Sequence, residues 1–319
     1  QKMRVTGYLF TVLLSLTVAA TTSPIKYVIV LMLENRSFDH MLGFLKQLNS
    51  QIRGCLPNDE GCSNHINPSD PTSTQVTVDN TAVYSQADPS HSISGTTEQI
   101  FGTKTPAEGA VGNMDGFIQS YSTHNFGGDT EKGSSIMHCY APEHVPAITN
   151  LSMEFGFFDG WFASVPGPTM VNRAYAASST SHGMGTNDEL TIAKGLPQKT
   201  MFRQLLEMGL DYRVYYQDIP SLLQFKDMRH RDARPRYHKY EQLLTDLKDG
   251  DMPDFTWIEP AYFSTSKQPA TDQHPDHDVS LGDALIKEIY EALRASPIWK
   301  EAAFVITYDE HGGFYDHVV

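Results

Sequence analysis

Two short segments at opposite ends of the chain, Glu34-Asn35-Arg36-Ser37-Phe38-Asp39-His40 and Asp309-Glu310-His311-Gly312-Gly313-Phe314-Tyr315-Asp316-His317, concentrate carboxylates, an amide and imidazoles. Carboxylate and amide oxygens are the ligands that hard or borderline divalent cations prefer. Glu34, Asn35, Asp309 and Glu310 therefore make a candidate metal site, if the fold unites the two ends. Oxygen ligands suit several cations, so the identity of the metal stays open.

A third segment, Ser164-Val165-Pro166-Gly167-Pro168-Thr169-Met170-Val171-Asn172-Arg173, sets a hydroxyl behind a rigid Pro-Gly-Pro turn. A helix starting there would aim free amides at an anion. The Thr169 hydroxyl could attack phosphorus once metal coordination favours its alkoxide, which would make it both nucleophile and ligand. The other reading of Thr169 is a helix N-cap. Arg173, with its neighbour Asn172, is a candidate for contact with a substrate phosphate; helical arginines otherwise pair with nearby carboxylates. Phosphoester cleavage also needs donors to the non-bridging oxygens and an acid for the leaving alkoxide. Among the 13 histidines, His91, His274 and His311 are the candidates. Asp316 and His317 either support the ligands or simply turn the chain.

Positioning such groups requires strands that end at one edge. Tyr27 to Leu33 and Ala302 to Tyr308 are continuous apolar runs, the mark of strands buried on both faces of a parallel sheet, and each is followed at once by an acidic cluster. Open α/β sheets place ligand sites just beyond the strand C-termini. Helical spacing follows over residues 37–49, and strands and helices then alternate. Helices are expected over 143–153, from about Met170, over 198–208, 240–248 and 282–295, with strands at 155–159, 212–217 and 255–259. Alternation of this kind is the α/β signature. Residues 50–135 are rich in Ser, Thr, Asn, Pro and Gly with little periodicity, and read as a loop-rich insertion.

With 38 acids against 24 Lys and Arg, the formal net charge is −14, and there is no basic run. Nucleic acid is excluded as the main partner, and strong docking on anionic membranes is opposed, leaving at most transient contact with a membrane surface. No protein partner is implied. Lys2 and Arg4 precede an apolar stretch from Tyr8 to Ala20 that ends in small residues, as a secretory signal does; a catalytic domain over 21–319 would then be secreted or extracytoplasmic. Cys55 and Cys62 are expected to form a local bridge in that setting, with Cys139 unpaired or bonded outside the sequence in hand. Asn150-Leu151-Ser152 fits a glycosylation sequon, as does Asn35-Arg36-Ser37, where a glycan would block the proposed site.

Five ordered motifs, the two acidic segments, Met114-Asp115-Gly116-Phe117, Ser164 through Arg173, and Thr180-Ser181-His182-Gly183, together resemble the phosphoesterase family of non-specific phospholipases C and related acid phosphatases. The resemblance runs from about Ile25 to the end. It implies an alkaline-phosphatase-like, doubly wound, mostly parallel α/β fold and cleavage of phosphoesters by a hydroxyl nucleophile held at a metal ion. It further implies Glu34, Asn35, Thr169, Asp309 and Glu310 as ligands, and His91 and His274 near the phosphate. Family members continue past the last motif, so the chain is expected to be truncated at its C-terminus. The function to expect is a phospholipase C that releases diacylglycerol and a phosphorylated head group. A phosphomonoesterase with the same site, or a secreted phosphate-binding protein without turnover, are the alternatives.

Overall fold

The computed structural model describes residues 24–85 and 87–319; the leader expected over residues 1–20 lies outside them. In chain order the strands are β1 (Tyr27–Leu33), β2 (Ser63–His65), β3 (Gln75–Thr77), β4 (Tyr212–Tyr216), β5 (Tyr237–Lys239), β6 (Phe255–Glu259) and β7 (Ala302–Tyr308). The helices are α1 (Phe38–Leu42), α2 (Ile93–Phe101), α3 (Phe117–Phe126), α4 (Thr130–Gly133), α5 (Pro146–Glu154), α6 (Thr169–Ser178), α7 (Glu189–Lys194), α8 (Met201–Glu207), α9 (Tyr240–Asp249) and α10 (Val279–Ala295). Five strands form one sheet in the order β5-β4-β6-β1-β7, and every pairing in it is parallel.

Because side chains alternate across a strand, β1 feeds two cores. Ile29, Leu31 and Leu33 pack with Leu243 and Leu247 of α9 and Leu285, Ile286 and Ile289 of α10. Met32 and Val30 pack on the opposite face with Val171, Ala174 and Ala177 of α6 and Phe202 of α8. A mostly parallel α/β sheet covered on both faces is what the apolar runs predicted. Among the described residues no helix is long and apolar enough to cross a membrane.

Several local expectations are corrected. The helix expected over 37–49 ends at Leu42 and continues as a 3-10 turn from Gly43 to Gln47. There the backbones of Gly43 and Gly54 touch, and a Cβ on Gly54 would lie 2.0 Å from the Gly43 carbonyl oxygen. Residues 155–159 form no strand: Phe155 and Phe158 are exposed, and no sheet edge pairs with them. A short aromatic run carries the same hydropathy in a loop as in a strand, so the pattern alone could not separate them. β7 pairs with β1 only among the described residues, and Val305 is exposed, so this strand stands at an edge rather than inside the sheet.

The segment 50–135 is more ordered than its composition suggests. It contains the β2–β3 hairpin and α2 to α4, and contributes to a third core in which Phe117, Ile118 and Tyr121 meet Phe314 and Tyr315 from the last motif. The helices stopped by Gly102 and Gly127, each left-handed, are rich in Ser, Thr and Gln and carry no clear apolar stripe, so periodicity did not register. Cys55 and Cys62 are bridged, and Cys139 is a buried free thiol. Asn150 lies exposed on α5, whereas Asn35 is fully buried and closed to glycosylation in the folded chain.

Behind β1 and β7 the chain ends are tied by charge. Asp39 is wholly buried, and its Oδ2 accepts from the backbone N–H of His317 at 2.7 Å and pairs with His317 Nδ1 at 2.6 Å. That hydrogen bond raises the His317 pKa, and burial beside Asp39 pushes Asp316 up to about 6. Both groups hold their protons more tightly folded than unfolded. Their stabilisation is present at low pH and is lost as pH rises through the raised values. The thermal midpoint of wild type should therefore fall from about pH 5 to pH 8, and His317→Ala should flatten the part of that slope above pH 6.5, the usual histidine value. An unchanged slope in the variant would remove His317 from the account.

Candidate active site

Register decides the site. Leu33 of β1 pairs with Tyr308 of β7, so Glu34 and Asp309 leave adjacent strands side by side. Asn35 adopts a left-handed conformation (φ 56°), which asparagine tolerates better than most residues, and its N–H donates to Asp309 Oδ1 at 3.1 Å. The Glu310 N–H donates to the same oxygen at 2.8 Å. Gly312, with φ 65°, passes so close that a Cβ there would lie 2.1 Å from the Asn35 carbonyl oxygen. Glycine is needed at this crossing of the two motifs.

Thr169 begins α6 but does not cap it. Pro168 occupies the cap position without a side-chain bond, and the Thr169 hydroxyl donates to Asn35 Oδ1 at 3.1 Å. The capping alternative is thereby removed. The hydroxyl of the third segment thus meets the amide of the first.

Arg173, one turn on, is 1% exposed and surrounded by acids. Its Nε donates to Asp309 Oδ2 at 2.9 Å, its Nη1 reaches Glu259 at 3.4 Å and the Tyr262 hydroxyl at 2.5 Å, and its Nη2 reaches the Leu33 carbonyl at 3.3 Å. Glu34 lies 3.6 Å from Nη2. Burial alone would lower the arginine pKa, but Tyr262, Asp309, Glu34 and Glu259 hold it well above its ordinary value. The expectation of phosphate contact is corrected: every guanidinium nitrogen is engaged by protein, so Arg173 neutralises the carboxylates. Asn172 is corrected too. Its amide bonds Val165 on both atoms and the Gly167 carbonyl, which holds the Pro-Gly-Pro turn in shape and leaves nothing for substrate.

Glu34 is driven well above the usual carboxylate range by burial; Arg173 opposes the shift, and Asp309, Asp272 and Glu310 add to it. Glu310 is pushed up to about 8, chiefly by burial, with His91 opposing and Asp309 adding. The donor set fits a cation. The buried Glu310 Oε1 has no hydrogen-bond partner, and one cationic side chain faces more acids than it can neutralise. Carboxylates crowded out of water in this way are stabilised by a positive charge among them.

A cavity of about 640 Å³ opens beside this cluster, lined by Glu34, Thr169, Arg173, Asp272, His274 and His277 among others. His274 is thus brought to the cavity. Its Nδ1 pairs with the Pro275 carbonyl at 2.7 Å, so Nε2 is the free nitrogen, 3.9 Å from Asp88. His91 stands on the far side of Asp88, 3.6 Å from it, with Nδ1 on the Pro89 carbonyl at 3.0 Å. His311 departs from the expectation of a catalytic role. Its Nε2 bonds Gln99 at 2.8 Å, its ring meets Phe117 edge-on, and burial lowers its pKa to about 4, so it ties the last motif to α2 and α3.

Two His/Cys/Asp/Glu groups among the described residues bring ligand atoms within 4.8 Å of one another: Asp39, Cys55 and His317, and His274, Asp276 and His277. The first contains a disulfide sulfur, which removes its thiolate. The second borders the cavity, where His277 pairs with buried Asp272 at 2.8 Å and has a raised pKa because of that bond. Glu34, Asp309 and Glu310 do not form such a group; the structure joins the expected ligands pairwise, Thr169 to Asn35, and the N–H groups of Asn35 and Glu310 to Asp309.

Three contributors escaped the sequence reading. Glu259 ends β6 and is wholly buried on Arg173, Ser221 and Tyr262. An acid at the end of an apolar strand was the signal used for Glu34 and Asp309, and it applied equally here. Asp272 and Tyr262 carried no such signal. Met114-Asp115-Gly116-Phe117 is architectural: Asp115 grips His65 through the backbone and ring at 2.6 and 2.8 Å.

Residues 25–319 match the Phosphoesterase family. The chain is 44% identical over 296 residues to non-specific phospholipase C1 of Arabidopsis thaliana, covering 92% of this chain and 54% of that protein. It is 42% identical over 301 residues to non-specific phospholipase C4 of the same plant, covering 92% and 55%. It is 23% identical over 349 residues to the non-hemolytic phospholipase C of Burkholderia pseudomallei (strain K96243), covering 93% and 45%. The chain spans about half the length of the curated relatives it matches. With a family match over nearly all of its described length, the chain belongs to the Phosphoesterase family.

Proposed function

We propose that this chain carries the catalytic site of a metal-dependent phosphoesterase of phospholipase C type, with Thr169 as nucleophile and Glu34, Asn35, Thr169, Asp309 and Glu310 as the metal ligands. The observation that carries the reading is the Thr169 hydroxyl on Asn35, beside buried acids that one arginine cannot neutralise, at the wall of a cavity. A divalent cation held there would favour the ionised hydroxyl and offset charge on the phosphoryl oxygens. Helices on both sheet faces support the alkaline-phosphatase-like, doubly wound reading of the fold.

In this reading Thr169 Oγ1 bonds to phosphorus as the ester bond to glycerol breaks, and the departing alkoxide takes a proton from His274, which lines the cavity with its Nδ1 held at the Pro275 carbonyl. Water then attacks the phosphothreonine, the phosphorus–Oγ1 bond breaks, and the hydroxyl and the phosphorylated head group are released. The positive end of α6 beside Thr169 favours the anionic oxygens, although the Met170 N–H is already given to Asn187 Oδ1 at 2.9 Å. His91 acts from behind Asp88 and beside Glu310. The substrate is a phospholipid or a related phosphoester, met at a membrane surface only in passing. Secretion is supported by the apolar leader and the Cys55–Cys62 bridge, a bond of oxidising compartments.

Chelation should remove turnover, and added divalent metal should restore it, in an assay that compares a choline phosphodiester with an aryl phosphomonoester. Preference for the monoester would favour a phosphatase. Full activity after exhaustive chelation would overturn the metal assignment.

A further inference from the structure

The cavity beside Thr169 has two chemically different walls. One carries Glu34, Arg173, Asp272 and the His274–His277 pair. The other carries Met170, Ile192, Ile219, Leu223 and Phe263, from the start of α6, from α7 and from the two loops that follow β4 and β6. Apolar lining is ordinary in a ligand cavity. Ile219 and Phe263 are different, because they line the cavity while staying 58% and 60% exposed. They stand at its mouth, where a folded chain gains nothing by placing large apolar side chains in water.

The apolar wall is also braced. Arg229 lies outside the acid cluster, and its guanidinium donates to the Ile192 carbonyl at 2.6 Å, to the Ala193 carbonyl at 2.7 Å and to the Leu223 carbonyl. One side chain thus fixes α7 against the 219–225 loop. On the other side Asp218 Oδ2 accepts from the N–H groups of Tyr262 and Phe263 at 2.6 and 3.0 Å, which pins the second mouth residue to the loop bearing the first. Loops held this way present a formed surface rather than one that collapses.

We propose that this wall is the subsite for the apolar part of the substrate, the glycerol-linked acyl chain of a phosphodiester lipid, with Ile219 and Phe263 as the residues that admit it from an interface. The inference rests on the phospholipase reading and deepens it. The occupant follows from continuity: the apolar wall shares one cavity with the Thr169 hydroxyl, so a molecule spanning both must carry phosphate at one end and hydrocarbon at the other. A volume of about 640 Å³ holds the phosphate, the glycerol and the first methylenes, and leaves the remaining chain to pass out between Ile219 and Phe263. Small polar phosphoesters would use the polar wall alone.

The test compares wild type with Ile219→Asp, Phe263→Asp and Arg229→Met on two diesters sharing one head group, long-chain phosphatidylcholine in neutral vesicles and water-soluble nitrophenyl phosphorylcholine. Each Asp variant should lower the ratio of lipid to soluble kcat/KM at least about tenfold, and Arg229→Met should lower it in the same direction. An unchanged ratio, with circular dichroism showing the fold retained, would overturn the subsite. Binding of fluorescent dioctanoylglycerol supplies a readout independent of turnover: wild type should bind it and the Asp variants should bind it at least about tenfold more weakly. If wild type hydrolyses neither diester, the catalytic reading fails, and the subsite stands or falls on that binding difference alone.

Discussion

Thr169→Ala is expected to lower phosphodiester turnover by roughly three orders of magnitude or more, the scale seen when a covalent nucleophile is deleted. Stability should hardly change. The hydroxyl makes one hydrogen bond, to Asn35 Oδ1 at 3.1 Å, and such a bond contributes about 1 kcal/mol net. The helix does not depend on it, because Pro168 holds the cap position of α6 without any side-chain bond. Thr169→Ser keeps the attacking oxygen and should retain activity well above that of the alanine variant. Single-turnover rates in metal-saturated buffer, read beside urea denaturation midpoints, separate loss of chemistry from loss of fold. Residual turnover within tenfold of wild type in Thr169→Ala would mean that another group attacks phosphorus.

Arg173→Met should have the largest effect on stability, about 3–5 kcal/mol, the range for breaking a buried ion pair from one side. The side chain touches Asp309, Glu259 and Glu34, and both Glu259 and the carboxylate of Asp309 are wholly buried. Removing the guanidinium leaves these acids in a site without a counter-charge. Arg173→Lys should recover little, since one ammonium cannot reach Asp309, the Glu259–Tyr262 pair and the Leu33 carbonyl together. Adding Glu259→Gln to Arg173→Met should recover part of the loss, because it removes a stranded buried charge at the one acid of the three that is not a proposed metal ligand. Urea midpoints with and without divalent metal test this. A loss under about 1 kcal/mol in the metal-free single variant would show that the acids are held protonated instead, so that no charge is left stranded.

The two stability arguments run in opposite directions with pH and can be told apart. The His317–Asp39 tie weakens as pH rises through the raised histidine value, and so do the contributions of Asp316 and Glu310. A cation among Glu34, Asp309 and Glu310 would favour their ionised forms and reverse the sign for those acids. Added metal should thus stabilise the protein more at pH 8 than at pH 5.

Much of the frame was legible in the residues because it follows from periodicity and residue type. The apolar runs at 27–33 and 302–308 read as sheet strands and are strands, which placed the acids behind them at strand ends, although β7 stands at an edge of the sheet. The helical spacing of 240–248 survived almost unchanged as α9. Where the pattern was short or polar, it was ambiguous: the aromatic run at 155–159 is loop, and α2 and α3 within 50–135 are too rich in Ser, Thr and Gln to show an apolar period.

Pairing order, side-chain direction and charge balance belong to the tertiary structure. That β1 lies between β6 and β7, and in a register that sets Leu33 against Tyr308, depends on helices packing both faces at once. The same packing turns Arg173 inward onto three acids, folds Asn172 back onto its own turn and carries His311 to Gln99 instead of the cavity. Residue types alone set which groups could bind a cation or attack phosphorus. Which of them face one another was decided by contacts between segments far apart in the chain, because the energy of burying a charge depends on what surrounds it and not on its neighbours in sequence.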